Sequence, residues 1–159
     1  MKEFEIVTKI KLWPFEELHP NDRQLVEMAI KATEGAYAEY SHFYVGAAAR
    51  LADGTIVTGS NQENAAFPSS LCAERTTLFA AQANYPTQPV ETIAIAARND
   101  NGFLKAPISP CGACRQVMIG VEDRYGTPMR VLLYGTDGVY DIASAKDLLP
   151  FCFVSDSMK

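Results

Sequence analysis

Two short cysteine motifs constrain this sequence more than any other feature. Cys72 stands two residues before Glu74, and a Pro-Cys-x-x-Cys motif further along the chain supplies Cys111 and Cys114. A catalytic zinc ion takes three protein ligands in a tetrahedral site and keeps the fourth position for water. The sequence therefore predicts one Zn²⁺ per chain, bound by Cys72, Cys111 and Cys114.

Both motifs are predicted to lie at the start of helices. Proline is common in the first turn of a helix, so Pro110 would place Cys111 and Cys114 on one face of a first turn. Cys72 stands likewise at the start of the apolar run Leu71–Ala83. The positively polarised N-termini of two helices would then face the metal, and this favours thiolates over thiols.

Glu74 and Arg75 are predicted to assist this metal site. Glu74 lies roughly 200° around a helix from Cys72, which is wrong for a further ligand from the same face. Because helical side chains tilt toward the N-terminus, both residues can still reach the space beyond the helix end, and we predict Glu74 to be the catalytic acid–base residue. Three thiolates leave a net negative centre, and Arg75 can reach a ligand sulfur from one turn further on. The alternative for Arg75 is a solvated helix cation.

The composition limits the classes of function. The 159 residues carry a formal net charge of -5 without any run of lysines or arginines, so a nucleic-acid partner is not expected. The chain contains no apolar stretch of about 18 residues and no signal peptide, so we expect no membrane partner and a cytoplasmic location. In a cytoplasmic protein, cysteines at this spacing favour metal binding over disulfides.

The hydrophobic patterns predict an α/β fold. Residues 4–13 alternate and are predicted to form an arm or an added edge strand, and Asn21 or Asp22 is predicted to cap a helix that runs to about Gly35. A hairpin with an Asp-Gly turn is predicted over residues 44–59. Further strands are predicted at residues 90–97, 129–134 and 139–142. We therefore expect one three-layer α-β-α domain with a mixed central sheet that begins with an antiparallel hairpin.

Five segments, in order along the chain, identify a family. They are Tyr40–Ala48, Asn61-x-Glu63-Asn64, Cys72–Arg75, Pro110–Gln116 and Leu148–Phe151. Over roughly residues 25–153 they resemble cytidine deaminases of the short-chain, homotetrameric, zinc-dependent type. The resemblance implies hydrolysis of cytidine and deoxycytidine to uridine and deoxyuridine with release of ammonia, in pyrimidine salvage, by a homotetramer with shared active sites. It also implies an N-terminal arm at residues 1–20 and a single zinc deaminase domain at residues 21–159.

The resemblance further implies roles for individual residues. Asn61 and Glu63 match positions that bind the 3′-hydroxyl of the ribose, and their donors and acceptors suit a sugar hydroxyl. Phe43 matches an aromatic residue near the base, and the backbone N–H of Ala73 matches a donor to the base carbonyl. The alternatives are that Asn61 and Glu63 satisfy the backbone of their own loop, and that Phe43 belongs to the core.

Two other functions fit parts of the pattern. A deaminase of a modified cytosine nucleoside or nucleoside antibiotic would keep the cysteines but need not keep Asn61 and Glu63. A structural zinc module, which would not be an enzyme, results if Cys152 completes a four-cysteine site. One position departs from the family, since relatives commonly have tyrosine where this chain has Phe67, at a position that touches the 5′ end of the sugar from a neighbouring subunit.

Overall fold

One seven-stranded sheet with helices on both faces forms the body of the molecule. The computed structural model describes residues 1–159, and its strand order is β1-β7-β6-β4-β2-β3, with β5 paired to β4 beside this path. The strands are β1 (Ile10–Trp13), β2 (Tyr44–Leu51), β3 (Ile56–Ser60), β4 (Val90–Asn99), β5 (Gly102–Phe103), β6 (Arg130–Gly135) and β7 (Gly138–Ile142). The helices are α1 (Pro20–Ala32), α2 (Ala73–Asn84) and α3 (Gly112–Tyr125), with short 3-10 turns at Phe15–Glu17, Thr33–Gly35, Phe67–Ser69, Ala145–Leu148 and Ser155–Met158.

The sheet is mixed because a single strand pair is parallel. β4 and β6 run parallel, with α3 in the connection between them, and every other neighbouring pair is antiparallel. A parallel pair needs such a crossover, whereas antiparallel neighbours can be joined by tight turns. This arrangement confirms the predicted three-layer fold.

Two hydrophobic cores lie on opposite faces of the sheet. Helix α1 covers one face, where Leu25, Val26 and Ala29 pack on small residues of the central strands. Helices α2 and α3 cover the other face and share a larger core with β2, β4 and β6. A side chain at Gly46 of β2 would meet the Ala29 carbonyl oxygen at 2.2 Å, so glycine is required there for α1 to lie this close to the sheet.

The predicted hairpin is present, but it is not the first strand pair along the chain. β2 and β3 are joined by a turn in which Gly54 has a φ of 86° and the Asp53 side chain accepts from the Thr55 N–H at 2.9 Å. Strand β1 comes earlier in the chain and pairs with β7 at the opposite edge. Of the residues 4–13 that were predicted as an arm or an added edge strand, only Ile10–Trp13 form this edge strand.

The predicted cap of α1 was wrong. The helix begins at Pro20 with His19 as its N-cap, and His19 Nδ1 accepts from the Asn21 N–H at 3.3 Å. Proline at the first helical position sets this earlier start, because its fixed φ is already helical. Asp22 is buried in the first turn and pairs instead with Arg130 at 2.7 Å.

Arg130 joins three elements through buried carboxylates. Its guanidinium contacts Asp22 of α1 and Asp141 of β7, each at 2.7 Å, and Asp141 also accepts from Trp13 Nε1 at 3.1 Å. Burial raises the pKa of Asp141, but the hydrogen bonds and charge of Arg130 outweigh it, so the net pKa is lowered. The network ties α1, β1 and β7 together at this edge of the sheet.

None of the helices has both the length and the apolar character needed to cross a lipid bilayer.

Candidate active site

The N-termini of α2 and α3 bring the two cysteine motifs together. Cys72 is the N-cap of α2 and Cys111 is the N-cap of α3, both with extended backbone, and Cys114 is the third residue of α3. Neither helix has a side-chain hydrogen bond at its cap. Both helices were predicted at these places, but α3 begins at Gly112 rather than at Pro110, so Cys111 precedes the first turn instead of lying in it. The first N–H groups of both helices have no partner inside their helix.

The three sulfur atoms have the spacing of a tetrahedral zinc site. The Sγ atoms lie within 4.8 Å of one another, with 3.9 Å between Cys72 and Cys111 and 3.4 Å between Cys111 and Cys114. A zinc–sulfur bond of about 2.3 Å in a tetrahedral site separates two sulfurs by about 3.8 Å. The cluster therefore fits one zinc ion per chain. Cys152 is not part of it, which argues against the closed four-cysteine module.

The charges around Cys72 favour a thiolate. Interaction with the Cys114 thiol, followed by a hydrogen bond from Arg75, lowers the pKa of Cys72 to about 5. The Arg75 Nη2 atom lies 3.6 Å from Cys72 Sγ, so this side chain contacts the cluster rather than only solvent. The interaction with Cys72 and burial raise the pKa of Cys114.

Glu74 lies near the three cysteines, but it does not belong to the group of possible metal ligands. Its side chain is 4% exposed, in the first turn of α2, and it lines one cavity together with Cys72 and Cys111. Burial raises the pKa of its carboxyl group. A buried carboxyl beside a metal site is suited to accept and return a proton.

A cavity of about 290 Å³ collects most of the predicted site residues. A volume at the lower end of the range for small-molecule sites suits a ligand of modest size. A larger cleft of about 520 Å³ between α1 and β3 is lined by no cysteine and has only Lys31 and Glu34 as charged groups. The smaller cavity is lined by Ser41, Phe43, Val45, Asn61, Glu63, Cys72, Glu74, Ile108, Ser109 and Cys111.

Asn61 holds the start of β2 and also faces the cavity. Its Oδ1 accepts from the Val45 N–H and its Nδ2 donates to the Phe43 carbonyl oxygen, both at 2.8 Å. An amide group has two donor hydrogens and two acceptor positions, so half of its capacity is left for a ligand. The alternative that Asn61 satisfies nearby backbone is thus realised in part, and it does not prevent ligand binding.

Glu63 fixes the loop that precedes Phe43. One carboxylate oxygen accepts from the backbone N–H groups of Tyr40 at 2.8 Å and Ser41 at 3.3 Å. The Ser41 side chain and then the Tyr40 N–H lower the pKa of Glu63, so the group is a carboxylate at neutral pH. Ser41 Oγ in turn accepts from the Phe43 N–H at 3.1 Å, and the loop is thereby ordered around the cavity.

Phe43 and Ala73 differ in their relation to the cavity. Phe43 lines it and also packs against the larger core, so the core alternative is met in part and its place beside a base stays a prediction. Ala73 is fully buried and is not among the lining residues, although both its neighbours, Cys72 and Glu74, line the cavity. As the first residue of α2, it has a backbone N–H without a partner inside the helix.

Sequence reasoning missed several residues of the site. Ile108 and Ser109 line the cavity, and their only signal in the sequence is that they directly precede the second cysteine motif. Arg115 holds that motif in place, because its Nε donates to the Pro110 carbonyl at 2.8 Å and its Nη1 to the Leu148 carbonyl at 2.6 Å. Its position directly after Cys114 was the available signal.

Comparisons with known proteins agree with this geometry. The family model for the cytidine and deoxycytidylate deaminase zinc-binding region matches residues 19–125. A cytidine deaminase of Halalkalibacterium halodurans is 41% identical over 138 residues, which are 86% of this chain and 98% of that protein.

Solved structures show the same relationship. The cytidine deaminase of Burkholderia pseudomallei has a TM-score of 0.70 at 42% identity, covering 82% of this chain and 97% of its own. That of Mycobacterium tuberculosis has a TM-score of 0.64 at 31% identity, covering 82% and 95%. A matched region that spans both cysteine motifs, in relatives of nearly the same length, leaves one conclusion: this chain belongs to the cytidine and deoxycytidylate deaminase family.

Proposed function

We propose that this protein hydrolyses cytidine and deoxycytidine to uridine and deoxyuridine and releases ammonia. The observation that carries the proposal is the single cavity lined by two of the zinc-binding cysteines, the buried Glu74, and the polar residues Asn61 and Glu63. This combination supplies ligands for a metal, a proton carrier and groups for a sugar within one small volume. The cytidine deaminases among its relatives support the same substrate class.

The reaction requires proton transfer at three atoms, and Glu74 is the group for each of them. Zinc held by the three cysteines supplies Lewis acidity that makes a water molecule nucleophilic at neutral pH. Glu74 takes a proton from that water as the water attacks C4 of the pyrimidine. It would then pass that proton to ring N3, take the remaining proton from the hydroxyl group now on C4, and give it to the amine as the C4–N bond breaks and the C4 carbonyl forms. One carboxyl thus acts as base and as acid. Its burial excludes competing solvent from these transfers.

Substrate binding is proposed for four residues around the base and sugar. Asn61 and Glu63 bind a ribose hydroxyl through the acceptors and donors that their loop contacts leave free. Phe43 packs beside the base, and the Ala73 N–H donates to the base carbonyl. Arg75 stabilises the negative charge of the three thiolates through its contact with Cys72.

We further propose a cytoplasmic homotetramer in pyrimidine salvage, in which residues 21–159 form the zinc deaminase domain and residues 1–20 an arm. Exposed aromatic side chains support shared active sites. Phe67 is 67% exposed and packs edge-on against Tyr40, whose N–H binds Glu63 at the cavity. Phe151 and Phe153 near the C-terminus are exposed as well. A neighbouring subunit would cover such surfaces.

One assay tests the substrate proposal. Absorbance loss is followed with cytidine, deoxycytidine, cytosine, adenosine and one modified cytosine nucleoside, while zinc per chain is measured on the same protein. We expect about one zinc ion per chain and turnover of both natural cytosine nucleosides, with little use of cytosine or adenosine. Equal turnover of free cytosine and cytidine would contradict the sugar-binding roles of Asn61 and Glu63. Faster turnover of the modified nucleoside than of cytidine would favour the alternative, a deaminase of modified cytosine nucleosides.

A further inference from the structure

Residues 1–13 of the N-terminal arm carry apolar side chains that the rest of the chain leaves largely exposed. Residues 10–13 form β1, and the alternation of that strand continues back along the sequence to Phe4. Alternate residues of an extended strand share one face. On the even-numbered face, Phe4, Ile6, Ile10 and Leu12 are between 51% and 75% exposed. Thr8 interrupts this set, and residues 4–9 lie outside the strand. Exposed apolar residues grouped in this way mark an interaction surface.

The arm also presents a free strand edge. β1 is the outermost strand of the sheet, with β7 on one side and no strand on the other. Residues 1–9 continue beyond the strand, and Thr8 contacts the body of the protein through a hydrogen bond from Oγ1 to the Asp147 carbonyl. Unpaired edges of this type accept a further strand from another chain.

The charges of the arm favour a second copy of the same arm as the partner strand for this free edge. The odd-numbered face has two acids, Glu3 and Glu5, and two bases, Lys9 and Lys11, placed symmetrically about Val7. In an antiparallel pair centred on Val7, Glu3 of one copy lies opposite Lys11 of the other, and Glu5 lies opposite Lys9. A parallel pair in register would place like charges opposite each other, which is unfavourable.

We propose that the arm is a docking site for the arm of a second copy of this chain, paired antiparallel about a two-fold axis at Val7. On the even-numbered face, the same register puts Phe4 opposite Ile10 and Ile6 opposite Thr8, so each of these contacts occurs twice about the axis. Three strands separate β1 from β2 at the cavity, a distance of about 19 Å at the usual strand spacing. No residue of the arm lines the cavity, although Thr8 binds the Asp147 carbonyl, next to Leu148, whose carbonyl accepts from Arg115 beside Cys114. The proposal does not depend on the proposed reaction.

Cysteine cross-linking tests the two-fold axis. In zinc-loaded, full-length protein carrying Cys152→Ser, the substitution Val7→Cys puts two copies of one thiol opposite each other, close to disulfide distance. The matched control is Glu27→Cys, an exposed position on α1. After mild oxidation we expect at least about fivefold more disulfide-linked dimer from Val7→Cys than from Glu27→Cys. Equal yields would overturn the proposal.

Charge reversal tests the register. Adding Glu5→Lys to the Val7→Cys protein creates two like-charge pairs across the axis and should lower the dimer yield about fivefold. The swapped variant E5K/K9E restores opposite charges within one chain and should restore the yield. A yield that Glu5→Lys leaves unchanged, or that the swap fails to restore, contradicts pairing about Val7.

Discussion

Replacing Glu74 by glutamine should separate catalysis from both folding and metal binding. Glutamine has the same shape, so the packing around this buried position is kept, and the three sulfurs still bind zinc because Glu74 is not a ligand. The variant cannot accept a proton from water or return one to the base. General acid–base catalysis by one group contributes roughly 10²–10⁴ in rate. Since Glu74 is assigned both roles, we expect turnover to fall at least about 10³-fold, or about 4 kcal/mol in activation free energy.

The chain offers a matched control for this experiment. Glu122 is also 4% exposed and lies in the same helical layer, but it is ten residues into α3, about 15 Å from the start of that helix. Its Oε1 accepts from the N–H groups of Met129 and Ala145 and from Ser144 Oγ, each at 2.8 Å. Glu122→Gln keeps an acceptor but loses its charge, which should lower the unfolding free energy by about 1 kcal/mol and leave kcat unchanged.

The assay is steady-state deamination of cytidine, with thermal unfolding and zinc content measured on the same samples. A loss of about 1 kcal/mol corresponds to a fall in Tm of roughly 2–4 °C for a chain of this size. The assignment predicts opposite patterns for the two variants: kcat falls in Glu74→Gln with Tm kept, and Tm falls in Glu122→Gln with kcat kept. Turnover by Glu74→Gln within about tenfold of the unaltered enzyme would refute the proton-transfer role.

Three further predictions concern the metal, the sugar and pH. Cys114→Ser should lose both zinc and activity, as measured by metal analysis and the deamination assay, whereas Cys152→Ser should keep both. Loss of zinc from Cys152→Ser would instead support the four-cysteine site. Glu63→Ala should reduce kcat/KM for cytidine by at least about tenfold with zinc content unchanged, since it removes a sugar contact and frees the loop; an unchanged kcat/KM would reject the contact. Arg130→Met should lower the unfolding free energy at pH 7 by about 2 kcal/mol, because it leaves buried carboxylates unpaired. The lowered pKa of Asp141 means that its pairing stabilises the fold above the ordinary aspartate pKa and is lost as pH falls through the folded value. The difference between Arg130→Met and the unaltered protein in chemical denaturation should therefore shrink below about pH 4, and a constant difference would contradict the pairing.

The sequence predicted the parts of the site that follow from local spacing. Cys111 and Cys114 are three residues apart, so one helical turn was enough to bring their sulfurs together. Cys72 required a further inference, namely that a second helix would begin close to the first residues of the helix that carries Cys114. The structure meets that requirement because α2 and α3 pack side by side on one face of the sheet.

Contacts between distant segments were beyond prediction from the sequence. Asn61 was expected to bind a sugar, and its contacts with Phe43 and Val45 depend on how β3 ends beside β2. The Asp22–Arg130 pair joins residues 108 positions apart, and it occupies the side chain that local pattern favoured as a helix cap. Strand β5 has two residues and is too short for any periodicity to reveal.

The first turns of α2 and α3 lack side-chain caps, and this affects how the protein folds with and without its metal. Each of these helices has a cysteine at the position where serine or aspartate would normally bind the first free N–H groups. A dication bound to both sulfurs fastens two otherwise fraying ends to one point. Metal loading is then a maturation step of the polypeptide as well as a requirement for turnover, and a chelator should unravel the same two segments that carry the chemistry.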